Sequence, residues 1–183
     1  MTEKEKMLAG LTYDAWEPEL LELRAQAKKS CHQFNLLCPS ESDRRNQILD
    51  KLISPKGKCH IEANLFCDYG INIEVGDNFY ANHNLVILDV CQVKIGDNVM
   101  FGPNVMISTA THPIDAIERR STEYGKPITI GNDVWLGGNV SILPGVSIGD
   151  KAVVGAGSVV TKDIAGNGVY AGNPCKFIKS IDK

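Results

Sequence analysis

His112, in the run Ser108-Thr109-Ala110-Thr111-His112-Pro113, opens the longest stretch, 108–129, that interrupts an otherwise regular repeat. An imidazole can take a proton from a hydroxyl near neutral pH and hand it on to a leaving group, so the chemistry it offers is general acid-base catalysis. A lone histidine is more often a surface or packing residue, and position is what singles this one out. Solenoids carry their insertions on one face, often the binding face, and Pro113 stiffens the backbone beside the ring. The other histidines, His32, His60 and His83, lie in a helical segment, at the start of the repeat and between two asparagines, without the spacing of a three-histidine zinc site. No Ser-His or Cys-His constellation points to a covalent intermediate on the protein. Trp135, where the repeat usually has a smaller residue, offers a large indole wall. Lys162, Lys176, Lys179 and Lys183 make the tail locally basic in a chain whose net charge is -3.

What must position these groups is a period of six. Residues 130–164 divide into IGNDVW, LGGNVS, ILPGVS, IGDKAV, VGAGSV and VTKDIA, led by Ile130, Leu136, Ile142, Ile148, Val154 and Val160. A helix returns to one face every three or four residues and a strand every second one, so neither explains the spacing. Hexapeptides that each form one short strand and a corner do, because three of them close a triangular coil whose leading aliphatics stack. Val134, Val140 and Val146 supply a second inward row. Gly131, Gly137, Gly149 and Gly155 follow the leading aliphatic, where backbone freedom at the corner is expected to matter. The same phase appears in IGDNVM and FGPNVM from Ile95 and, more loosely, in VGDNFY from Val75, so the coil occupies 58–165.

Residues 1–57 lack this period and read as helices. Thr2 with Glu5 has capping-box spacing before a short helix ended by Gly10, and Pro18 suits a first helical turn. Leu20, Leu23, Ala27, Cys31 and Phe34 then form one stripe. Ser40 with Asp43 repeats the cap signal ahead of Ile48, Leu49, Leu52 and Ile53. At the least, this segment covers the open end of the coil, whose strand edges would otherwise stay unpaired. Residues 166–183 form a C-terminal extension with a turn at Gly172, Asn173 and Pro174, and its last ten residues read as a short helix or strap.

Composition narrows the function classes. A pI near 5.8 argues against nucleic acid or an anionic membrane as partner, and no apolar run reaches the ~18 residues of a membrane span. Six cysteines without a C-x-x-C pair read as reduced thiols in a cytoplasmic protein.

The repeat is similar to that of the hexapeptide-repeat acyltransferases, which implies a mainly β fold, a left-handed parallel β-helix. The opening KMLAGLTYDAWEPELLELRAQAKKSCHQFN, together with CDYG and NFYAN, resembles the maltose and galactoside O-acetyltransferase branch, and the likeness covers nearly all 183 residues. It implies acetyl-CoA as co-substrate, a sugar acceptor and a homotrimer, with no metal. By resemblance His112 is the catalytic base. Asp14, Arg24, Asp68, Tyr80, Asn82 and Asp89 contact the acceptor, with Glu17 the alternative to Asp14. Asn82 also touches the acyl donor. Carboxylates suit sugar hydroxyls because they accept charge-assisted hydrogen bonds, whereas an asparagine at a coil corner can equally be a left-handed backbone position. Gly138, which would supply the oxyanion amide, Trp135, Ala156 and Thr161 line the coenzyme groove, and Lys176 and Lys179 meet its phosphates. Asn78 and Asn98 are structural. Two rival readings are a zinc enzyme of the γ-type carbonic anhydrase kind, which needs three converging histidines, and a non-catalytic β-helix, which leaves the insertion unexplained.

Overall fold

Strands of two to five residues stack coil upon coil in the computed structural model, which describes residues 1–181; Lys183 lies outside the described residues. The first face runs through Cys59–Ile61, Phe79–Ala81, Met100–Phe101, Trp135–Leu136, Val153–Val154, Gly168–Ala171 and Lys176–Ser180. The second runs through Leu65–Cys67, Leu85–Leu88, Met106–Ser108, Ser141–Ile142 and Val159–Val160, and the third through Ile73–Val75, Val93–Ile95, Ile128–Ile130 and Ser147–Ile148. Pairing between coils is parallel, as in Leu136 opposite Phe101 and Val154. The result is a parallel β-helix. Its leading aliphatics are buried in layers, one of them Ile130, Leu136 and Ile142, and Val134, Val140 and Val146 form the second inward row. Each such side chain contributes roughly 1.5–3 kcal/mol on burial.

The corners correct one expectation. Gly131, Gly137 and Gly149 do not adopt left-handed angles; the left-handed residues stand two positions later, at Asp133 (φ 57), Asn139 (φ 58) and Lys151 (φ 60). The glycines serve close approach instead, since a Cβ on Gly137 would lie 2.6 Å from the Ala156 nitrogen of the next coil. Asn78 and Asn98 are left-handed corner residues joined by a side-chain hydrogen bond of 2.9 Å, and Asn64, Asn84 and Asn104 form a second ladder.

Three helices precede the coil, the first beside the inserted hairpin and the other two at the lower end. α1 (Glu3–Leu8) carries the Thr2–Glu5 capping box, and α2 (Pro18–Leu36) begins with Pro18 at its first turn. α3 (Ser42–Leu52) has Glu41 at its N-cap and no side-chain cap, so Ser40 does not serve the role its spacing suggested; its hydroxyl turns to the Cys38 sulfur instead. Asn35 on α2 pairs reciprocally with Leu65, donating to its carbonyl (2.9 Å) and accepting from its amide (2.8 Å). On α3, Arg45 donates to the Ile61 carbonyl at 2.8 Å. Side chains thus replace the missing strand at the bottom edge.

The insertion folds back on itself. Ala110–Thr111 pairs antiparallel with Tyr124–Gly125 around a 3₁₀ turn at Glu118–Arg120. The tail forms neither helix nor strap: Lys176–Ser180 is an antiparallel strand against Gly168–Ala171. Among the described residues no helix is long and apolar enough to cross a membrane.

Candidate active site

A cleft of about 500 Å³ opens between α2, the corner that joins the second face to the third, and the insertion. Arg24 and Lys28 enter it from α2, Asp68 from the end of the lowest second-face strand, and His112 and Glu123 from the two arms of the inserted hairpin. Ala110–Thr111 and Tyr124–Gly125 hold those two arms in register. The His112 Nδ1 faces the Thr122 carbonyl at 3.4 Å, and Nε2 faces the Glu123 Oε2 at 3.9 Å. A carbonyl can only accept, so the proton belongs on Nδ1 and the Nε2 lone pair is turned to the cleft as a base.

Glu123 is fixed from behind. The buried Tyr13 hydroxyl donates to its Oε1, and the Tyr13 amide donates to its carbonyl at 3.1 Å. Burial, reinforced by that carboxylate, pushes the Tyr13 phenol far up, so it stays a donor. Arg24 is held by two acceptors, the Tyr69 hydroxyl at 2.6 Å and the Ala15 carbonyl, with its guanidinium 5.6 Å from the Tyr69 ring centre. Asp68 is half-buried, and burial raises its carboxyl, with Glu123 adding to the rise while Arg24 and Lys28 oppose it.

Asp89 is elsewhere than its proposed role demands. It is 0 % exposed, and its Oδ1 accepts the backbone amides of Asp68 and Tyr69 at 3.0 and 2.9 Å, so no acceptor can touch it. Its inward direction follows from the coil, which turns that corner side chain onto the backbone of the turn below. Asp14 is exposed at the rim next to cleft residue Ala15, and its carboxylate takes the Trp16 amide at 2.9 Å. Glu17 is occupied as the N-cap of α2, accepting from Leu20 at 3.2 Å.

The remaining candidates gather on the first face and its far corner. Register aligns His60, Tyr80, Met100, Trp135, Val153, Val169 and Lys179 in one outward column. Tyr80 stacks on His60 with ring centres 5.6 Å apart, and Trp135 is 51 % exposed. A bulge in the last strand pairs Lys179 with Val169 and Lys176 with Ala171, so both lysines reach the same side despite standing three apart. At the corner between the first and second faces, the Gly138 and Ala156 amides donate to no group among the described residues, whereas their neighbours Gly137, Asn139, Gly155 and Gly157 donate to adjacent coils. Asn82 lies at the same corner, with its Oδ1 accepting from His83 at 2.7 Å. Thr161 stands on the other edge of the second face, one residue beyond Val160, which pairs in register with Ile142.

One chain therefore brings Arg24, Asp68 and His112 together, and separately Tyr80, Asn82, Trp135, Gly138 and Ala156, with the second face between them. Sequence reasoning missed Glu123, Tyr13, Tyr69 and Trp16, an indole 76 % exposed at the cleft lip. No spacing signal reveals Glu123, because its approach to His112 depends on the antiparallel fold of the insertion. Among the described residues no group of three His, Cys, Asp or Glu is placed to hold a metal ion.

A family profile described as the maltose acetyltransferase hexapeptide capping motif matches residues 6–57. One described as the hexapeptide repeat of succinyl-transferase matches 92–110 and 127–162. Coil and cap together define a hexapeptide-repeat acyltransferase. The galactoside O-acetyltransferase of Escherichia coli (strain K12) is 44% identical over 180 residues, 97% of this chain and 92% of its own. The crystal structure of a maltose O-acetyltransferase from Clostridium difficile 630 matches with a TM-score of 0.98 at 52% identity, covering 100% of this chain and 99% of that one. A hexapeptide-repeat acetyltransferase from Vibrio cholerae O1 biovar eltor, complexed with acetyl coenzyme A, matches with a TM-score of 0.92 at 35% identity over 100% of both chains. The chain belongs to the maltose and galactoside O-acetyltransferase family, and it is an acetyltransferase.

Proposed function

We propose that the protein transfers an acetyl group from acetyl-CoA to a hydroxyl of a mono- or disaccharide, of maltose, glucose or galactoside type. The observation that carries this reading is the cleft, where a base turned by the Thr122 carbonyl faces two carboxylates and an arginine suited to a polyhydroxylated ligand. The acceptor hydroxyl oxygen attacks the thioester carbonyl carbon while His112 Nε2 takes its proton. Glu123, 3.9 Å away, stabilises the imidazolium so formed. The carbonyl oxygen becomes an oxyanion, for which the unpaired Gly138 amide is the donor. Collapse breaks the carbon–sulfur bond, His112 returns the proton to the thiolate, and the products are the sugar ester and free coenzyme A.

Gly138 and His112 lie across the second face from each other within a chain, so a neighbouring copy must complete the site. A homotrimer, with three sites between adjacent prisms, does this with every copy equivalent. Light scattering on the active enzyme should give three times the chain mass, and an active monomer would defeat the trimer. The Cys31 and Cys67 thiols, hydrogen-bonded at 3.6 Å and not joined in a disulfide, suit the reducing cytoplasm.

The pantetheine arm would run along the outward column past Trp135 and the Ala156 amide to Lys176 and Lys179 at the phosphates, with Thr161, across the second face from that column, reaching it from a neighbouring copy. Replacing both lysines by alanine should raise KM for acetyl-CoA and leave kcat nearly unchanged, because a remote phosphate contact is equal in ground and transition states. Salt should narrow the difference. Unchanged KM at low salt would reduce the lysines to a solvated face.

The reading as a whole is tested by a screen of thiol release from acetyl-CoA over glucose, maltose, galactosides, amines and non-sugar alcohols. Sugar hydroxyls should be preferred, and a preference for amines would overturn the proposal.

A further inference from the structure

We infer that Asp89 is a positioning residue, which sets Asp68 directly and Arg24 through Tyr69 from behind the cleft. This rests on the proposed reading of the cleft as the acceptor site. Asp89 ends the second-face strand Leu85–Leu88 and is wholly enclosed. Its Oδ1 spans the turn of the coil below by accepting from both the Asp68 and Tyr69 amides, and its own carbonyl accepts from the Asn72 side chain at 2.7 Å. Tyr69 is buried, and its hydroxyl meets Arg24 Nη1 at 2.6 Å. Gly70 completes the turn at φ +74, where a Cβ would come 2.7 Å from the Leu52 carbonyl. One hidden carboxyl group thus anchors two cleft charges, one carried on the turn it binds and one held by the neighbouring tyrosine.

The other oxygen, Oδ2, is buried with no hydrogen-bond partner among the described residues. Burial pushes the Asp89 carboxyl up to about 7; the Tyr69 amide opposes the rise and the Asp68 carboxylate adds to it. The titratable groups around it are Asp68 and Tyr69 on the turn, Cys67 on the adjoining strand and Cys31 on α2. In either protonation state Oδ1 can still accept both amides, so positioning needs the acceptor oxygen and not the charge. The folded value lies above that of the unfolded chain. Asp89 therefore favours folding most in acid, and that contribution is lost as pH rises through about 7.

Asp89→Asn keeps the acceptor oxygen and fixes it neutral; Asp89→Leu keeps the size and removes the acceptor. With acetyl-CoA saturating, Asp89→Leu should raise acceptor KM by about tenfold or more, and Asp89→Asn by less than about threefold, while KM for acetyl-CoA stays put in both. Thermal melts between about pH 4 and about pH 7 should show that Asp89→Asn loses a fall in stability with rising pH that is present in wild type. Unmoved acceptor KM in a folded Asp89→Leu would overturn the inference, leaving a purely structural residue. If Asp89→Leu does not fold, Asp89→Asn decides alone, and a tenfold rise in its acceptor KM would mean that the charge is what matters. Should wild type acetylate no sugar at all, the acceptor reading fails separately. Hydrogen exchange at the Asp68 and Tyr69 amides then judges Asp89: it should quicken by about tenfold or more in Asp89→Leu and by less than about threefold in Asp89→Asn, and unchanged exchange in a folded Asp89→Leu would overturn the inference.

Discussion

His112→Ala should lower kcat by roughly 10² to 10⁴, the worth of a positioned general base, with KM for acetyl-CoA little changed. The groove that would hold the coenzyme is built from first-face side chains and corner amides of other coils, none of which the imidazole supports. The ring itself is half-exposed and linked to its surroundings only by the 3.4 Å approach to Thr122 and the 3.9 Å approach to Glu123, so its removal leaves no buried group unsatisfied. The loss should fall on chemistry and leave stability alone. Steady-state rates, with circular dichroism as a folding control, check both points. Wild-type turnover by a folded variant would remove the base from the mechanism.

Phe101→Ala should destabilise the fold by about 3–5 kcal/mol, the usual cost of emptying an aromatic site in a core. Phe101 is buried on the first face and meets Phe79 of the coil below edge-on, with ring centres 5.0 Å apart. It also pairs in register with Ala81 and Leu136, so the cavity would lie in the middle of the stack, where neighbouring coils cannot collapse into it without breaking the parallel ladder. A loss of that size is a large fraction of the roughly 5–15 kcal/mol that holds a domain together. Denaturant unfolding followed by tryptophan fluorescence measures it, and a shift below about 1 kcal/mol would mean that the coils repack more freely than their ladder suggests.

The parts of this molecule set by periodicity were legible in the sequence. An aliphatic at every sixth residue left no alternative to a stacked prism, and the capping box at Thr2 and the first-turn Pro18 sit where their spacing put them. Corner chemistry was legible only in part. Glycine after the leading aliphatic suggested conformational freedom, yet what that position meets is the backbone of the next coil, a contact that period alone does not reveal. Asp89 was given an acceptor contact by resemblance alone. Only the coil geometry reveals that it turns inward, onto the backbone of the turn below that carries Asp68. The insertion was expected to carry the chemistry through His112, and His112 lines the cleft. Glu123 and Tyr13 escaped notice because they join His112 by antiparallel pairing across segments far apart in sequence, for which no local signal exists. The shared side of Lys176 and Lys179 depends on a bulge, which alternation along a strand would not suggest.

Direct transfer to a sugar hydroxyl in the His112 cleft is tested most directly by following the acetyl group. With acetyl-CoA labelled in the acetyl moiety and glucose, maltose or a galactoside as acceptor, mass spectrometry should find the label as an O-acetyl ester on the sugar. Quenched and denatured wild-type protein should carry none, and His112→Ala should form the ester at less than about one hundredth of the wild-type rate. Label retained on the protein, ester formed equally fast by the variant, or transfer to amines in preference to sugars would contradict the account.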